Sequence, residues 1–124
     1  MSKEEIPPWL REQLTRFEQL QQTLQSILVQ KQQVELELAE TEKATSELDK
    51  TPDTNTVYKS TGSILVKVAK KDLVKELIEK KEIATTRSMV LAKQEVRVRD
   101  NVKELQEKLD KALRTRTQTQ FSES

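Results

Sequence analysis

The stretch "VYKSTGSILVKV", Val57 to Val68, interrupts a chain whose apolar residues otherwise recur at helical spacing. It is rich in β-branched and aromatic residues, and Gly62, the one glycine of the chain, is the natural reversal point. The pattern predicts a hairpin over residues 56–69, with strands Thr56–Ser60 and Ser63–Ala69. A Thr61-Gly62 loop would set Tyr58 opposite Leu65 and Val57 opposite Val66. A three-residue loop with a glycine bulge would shift the register by one, and the sequence leaves both open. Ile64, Leu65 and Val66 are consecutive, so one apolar side chain must face outward however the strands pair.

A lone two-stranded hairpin is marginal in water. Unpaired edges with apolar neighbours are what strand addition between chains uses. Val57, Tyr58, Gly62, Ile64, Leu65, Val66 and Val68 are therefore the candidate residues of an intermolecular sheet or barrel. The alternative is a hairpin folded down on its own helix ends.

Outward from the hairpin, both flanks repeat by sevens. In the first, Leu10, Phe17, Leu24, Lys31, Leu38 and Thr45 form one series, and Leu20, Ile27, Val34, Thr41 and Leu48 the other. In the second, Val74, Lys81, Ser88, Glu95, Val102 and Leu109 accompany Leu77, Ala84, Leu91, Val98, Leu105 and Ala112. These are coiled-coil seams. One helix is expected over residues 8–49, roughly 60 Å long, and one over residues 70–116, with a flexible tail over 117–124. Pro52, Asp53 and Asn55 end the first helix, and Asp72 supplies an N-cap or first-turn acid for the second. The fold class is mainly α: a long antiparallel two-helix coiled coil with one central β-hairpin at the hinge end, a single unit over residues 1–124.

Charge supports that pairing. Residues 1–49 hold five basic and ten acidic side chains, residues 70–116 fourteen and nine, so the halves carry about −5 and +5. Exposed ion pairs contribute little each, so charge selects the partner and the apolar seam stabilises the pair. A turn centred near Lys59 and Ser60 would set Leu10 against Leu109 and Lys31 near Ser88. The polar seam positions Lys31, Ser88 and Glu95 would weaken the middle while fixing register, or are simply tolerated.

The same composition narrows function. The chain has no His and no Cys, so neither a Ser–His pair nor thiolate metal ligation is available. With its single Gly in the turn there is no phosphate-cradling loop. Glu35 and Glu37 stand two apart on a helix and point in different directions, so they read as solvated charges and not as paired acids. An enzyme is not expected, nor any cofactor or metal. The net charge of +1 and the lack of an aromatic stacking platform argue against nucleic acid, although Lys93, Arg97, Arg99, Lys103, Arg114 and Arg116 could form a basic stalk. Neither a secretion signal nor a membrane-length apolar run is legible, so a cytoplasmic protein without membrane contact is expected.

The helix-pair end where both termini meet is the second candidate surface. Ile6, Trp9, Leu10 and Leu14 lie there, with Leu113 and Phe121 from the other arm. A flexible apolar tip can hold many unfolded sequences, because burial of apolar area is non-directional. Alternatively, Pro8 opens the helix and Trp9 merely covers its end. Leu14, Leu28, Ile78, Ile83, Met89, Val90 and Val96 also fall outside the seam; Ile78 suits assembly, as Leu14 suits clients.

With "VYKSTGSILVKVAKKDLVKELIEKKE" between "FEQLQQTLQSILVQKQQVE" and "AKQEVRVRDNVKELQEKL", the chain resembles the β subunits of the archaeal prefoldin family. The resemblance covers roughly residues 10–113 and is most specific in the V-Y-K-x-x-G hairpin. It implies a hexamer in which a prefoldin α subunit, in two copies, joins four β subunits through a double β-barrel platform of hairpins. It further implies ATP-independent capture of unfolded polypeptide clients between hanging coiled coils, and their delivery to a group II chaperonin. The rival is a structural coiled-coil tether, with the hairpin as a docking plug and no holding activity.

Overall fold

The computed structural model describes residues 6–123, with side chains placed for residues 6–116. The order is α1 (Pro8–Asp49), β1 (Val57–Thr61), β2 (Ile64–Val68) and α2 (Lys70–Glu123). The class expected from the sequence holds: two long helices flank one antiparallel hairpin.

Each boundary has a local cause. The Pro7 carbonyl accepts from Leu10 N–H (3.0 Å) and Arg11 N–H (3.1 Å), so Pro8 opens α1 where its missing donor costs nothing. At the other end Thr51 N–H closes a tight turn on the Leu48 carbonyl (3.1 Å), and Pro52 cannot continue it. Ala69 caps α2, its carbonyl accepting from Asp72 and Leu73 N–H at 3.1 Å each. Asp72 is thus the first-turn acid and not the cap. The second helix runs on to Glu123, past the stop expected at Arg116, because "RTRTQTQFSES" holds neither Gly nor Pro to end it. The expected flexible tail is helical up to that residue.

Contacts divide the chain into two units, Met1–Val29 with Ala92–Ser124, and Gln30–Leu91. In the first unit Leu10, Leu105 and Leu109 form a buried cluster, with Ile6, Phe17, Leu20 and Ala112 packed against it. The expected grouping of Leu10 with Leu109 is present. In the second unit Val34, Thr41 and Leu48 of α1 and Leu77, Ala84 and Leu91 of α2 are buried. These six all belong to the second series of each helix. The first series is only half-buried there, at Lys31, Leu38, Thr45, Val74 and Ser88, and Lys81 is exposed. Lys31, Thr45, Lys81 and Ser88 therefore sit where the seam is least dry, and Thr41 is the buried exception. Lys81 is a correction: its position follows the heptad, but its side chain stays in water.

Facing residues in the second unit stand farther along α2 than expected. Glu37 meets Arg87 at 3.7 Å, and Thr41 borders the same hollow as Ala84. The cause lies in the turn. The reversal is centred between Gly62 and Ser63, not between Lys59 and Ser60.

That loop also corrects the strand register. Val57 pairs with Val68, Tyr58 with Lys67, Lys59 with Val66, Ser60 with Leu65 and Thr61 with Ile64. The two-residue loop is Gly62-Ser63, and only Gly62 takes a positive φ, +61°. A loop with glycine first and an ordinary residue second suits a hairpin whose first turn position alone is left-handed. Thr61-Gly62 would have asked that φ of a β-branched residue if the first position were left-handed. The shift from the expected register is two residues, so the faces survive it. Val57, Lys59, Ile64, Val66 and Val68 share one face; Tyr58, Ser60, Leu65 and Lys67 share the other.

Candidate functional site

The hairpin presents apolar side chains on both faces. Leu65 is 71% exposed on one, with Tyr58 at 57%, and Ile64 is 60% exposed on the other, with Val66 also in water. Val57 and Val68, at the base, are half-buried. Beneath the hairpin an open hollow of about 480 Å³ is bordered by Leu48, Val57, Tyr58, Leu73, Glu76 and Leu77. The strands therefore do not close over their own helix ends. Each strand has the other as its hydrogen-bonding neighbour in the sheet, and among the described residues the remaining edge of each has no strand partner.

Lys59 ties the hairpin to α2, and Lys70 ties the connector before the hairpin to the start of α2. Lys59, on β1, donates to Glu76 on α2. Lys70, the first residue of α2, donates to the Thr51 carbonyl (2.7 Å) and to Asp53 Oδ1 (2.9 Å). Thr51 lies just beyond α1, whose last turn contains no basic residue of its own. The Lys70 ammonium thus sits where the carbonyls of α1 leave partial negative charge. The hydrogen bond from Lys70, and then its positive charge, hold the Asp53 carboxyl below its ordinary range against slight desolvation. The hydrogen bond from Lys59 lowers Glu76 likewise; desolvation opposes it, and the charges of Lys59 and Lys80 add to it.

Neither ion pair was read from the sequence, where Asp53 figures only as a turn former and Lys59 only as the centre of the expected turn. Their spacings, 17 and 19 residues, follow no helical or strand period and depend on where the chain turns. The only sequence signal was basic side chains at either edge of a connector rich in turn formers.

The second candidate surface is the helix-pair end of the other unit. Leu10 is 1% exposed, so it is part of the packed cluster and is not displayed. That corrects its expected place on a client-holding surface: it occupies the seam position opposite Leu105 and Leu109 and is covered by them. Ile6 is half-buried against the same cluster. Trp9, Leu14 and Leu113 are exposed and are not among the side chains packed against that cluster. Phe121 falls in the helical part of α2 whose side chains lie outside the described residues. Of the apolar residues outside the seam, Ile78, Ile83, Met89, Val90 and Val96 are exposed. Among the described residues no helix is long and apolar enough to cross a membrane.

Known proteins carry the same arrangement. The chain matches the prefoldin subunit family over residues 11–116. Prefoldin subunit beta of Archaeoglobus fulgidus is 44% identical over 109 residues, which is 88% of this chain and 94% of that protein. The corresponding protein of Pyrococcus abyssi is 40% identical over 90% of this chain and 96% of its own length. The crystal structure of the prefoldin beta subunit from Thermococcus strain KS-1 superposes with a TM-score of 0.76 at 41% identity, covering 89% of this chain and 96% of that one. A family match over nearly the whole helix–hairpin–helix unit, joined to shared backbone geometry and this level of identity, leaves one conclusion: the chain belongs to the prefoldin family of chaperone subunits.

Proposed function

We propose that the chain is the β-type subunit of a hexamer with two α and four β subunits, and that it acts by binding and not by catalysis. Its hairpin adds strands to those of neighbouring subunits and builds the platform. Its helix-pair end captures unfolded polypeptides in the cytoplasm without ATP and passes them to a group II chaperonin. The observation that carries this reading is the hairpin itself: apolar side chains in water on both faces, and strand edges with no strand partner among the described residues. A neighbour's strand would satisfy the edge, and packing against neighbouring hairpins would cover Tyr58 with Leu65 on one face and Ile64 with Val66 on the other. The exposed Trp9, Leu14 and Leu113 supply non-directional apolar area for clients, and Lys111, Arg114 and Arg116 are the candidate chaperonin contacts.

The test is the mass of the complex formed with a prefoldin α subunit, for the parent chain and for Val57→Ser/Leu65→Ser/Val66→Ser. A hexamer from the parent, lost in the variant while helical circular dichroism is retained, is the expected result. Unaltered mass in the variant would sink the assembly reading. A complex that assembles yet leaves the light scattering of an aggregating unfolded protein unchanged would instead favour a structural tether.

A further inference from the structure

We propose that Lys59 and Lys70 are positioning residues that hold the hairpin at one angle to the roots of the two helices, and so decide where its strand edges are presented. The hairpin leaves the helices through short segments, residues 50–56 before β1 and Ala69 after β2. Apolar packing does little to orient it: a hollow lies beneath it, and its apolar side chains beyond Val57 and Val68 point into water. Among the described residues, two lysine-centred contacts brace it, one at its root and one on β1, and they act at different heights. Lys70 gathers the C-terminal end of α1, the connector and the first turn of α2 around one ammonium group, on a side chain only 20% exposed. Lys59 reaches from the middle of β1 to Glu76, one to two turns into α2.

A single tether at the root would leave a hinge. A second one partway up the strand removes that freedom. Lysine is suited to both jobs, since its compact ammonium donates in three directions on a long stem, and that of Lys59 borders the hollow together with Leu73 and Val57. Rigid presentation matters for strand addition, because an edge that is already oriented loses less freedom on pairing. The role in assembly rests on the reading given under Proposed function; the geometric role does not.

The chain has no cysteine, so a spin-label pair can be placed without background at Ser63→Cys, in the hairpin loop, and Thr86→Cys, on an exposed face of α2. In the labelled full chain the distance distribution between them should be single and narrow. Lys59→Glu should broaden or shift it, and adding Glu76→Lys should restore it, because the pair is re-formed with its charges exchanged. Lys70→Met should broaden it too, whereas Lys70→Arg, which keeps a cation with several donors, should not. Helical circular dichroism should stay unchanged throughout. Distributions identical to the parent in both Lys59→Glu and Lys70→Met would overturn the proposal, as would failure of the exchanged pair to restore the distance. Broadened variants that form the hexamer with the α subunit as readily as the parent would overturn the link between angle and assembly. Failure of the parent itself to assemble would sink the assembly reading alone, while the distances still decide the geometric one.

Discussion

Gly62 turns the chain at φ +61°, and a Cβ built on it meets nothing within 4 Å. The cost of replacing it is therefore backbone strain without a clash. Gly62→Ala should destabilise the hairpin by about 1 kcal/mol, and Gly62→Asn by less, since Asn tolerates the left-handed region. Faster amide exchange over β1 in the Ala variant checks this. The buried seam responds differently. Leu105→Ala, which empties space beside Leu10 and Leu109, should cost about 2–5 kcal/mol in thermal unfolding, while Met89→Ala on the exposed face should stay within about 0.5 kcal/mol. The role of Leu10 was misjudged from the sequence for a related reason. Its position near a terminus suggested display, but its place in the seven-residue series, equally visible, assigned it to the seam. Periodicity outranks nearness to an end, because a residue on the packed stripe is covered wherever it falls along the helix.

At the level of elements, the two helices and the hairpin were legible, since their signals are periodic and long. The loop was not. Thr-Gly and Gly-Ser both contain the glycine, and what separates them is which turn position must be left-handed, a matter of one residue's φ. The ion pairs that depend on the turn were hidden with it. They give the hairpin a sensitivity to acid whose sign is set by the lowered carboxyls of Asp53 and Glu76. A carboxyl held below its ordinary value adds stability that is complete above that value and fades as pH falls through the lowered one. For Glu76, whose ordinary value is 4.5, the contact to Lys59 should be intact at neutral pH and weaken only below about pH 4.5. The label distance between Ser63→Cys and Thr86→Cys should broaden in that window, and Glu76→Gln should already be broadened at neutral pH. A Gln variant as narrow as the parent would show that the carboxylate charge is dispensable.

For the whole molecule, separate residues carry stability and the proposed client contact. Trp9, Leu14 and Leu113 are exposed and lie outside the buried cluster that contains Leu10, so the two roles can be uncoupled by mutation. Trp9→Ser/Leu14→Ser/Leu113→Ser should lower suppression of client aggregation by the assembled complex while moving the melting midpoint little. Leu10→Ala should instead lower the midpoint clearly. Equal aggregation suppression by the triple variant would remove these residues from the client surface. The alternation of the hairpin faces has one more consequence, for how such a chain can change length over generations. An insertion or deletion of a single residue in either strand would turn every side chain beyond it onto the opposite face, sending Leu65 where Val66 belongs. A change of two leaves the faces as they were. Drift in strand length is thus expected to proceed by dipeptides, a rule of parity imposed by the pleat and not by any particular side chain.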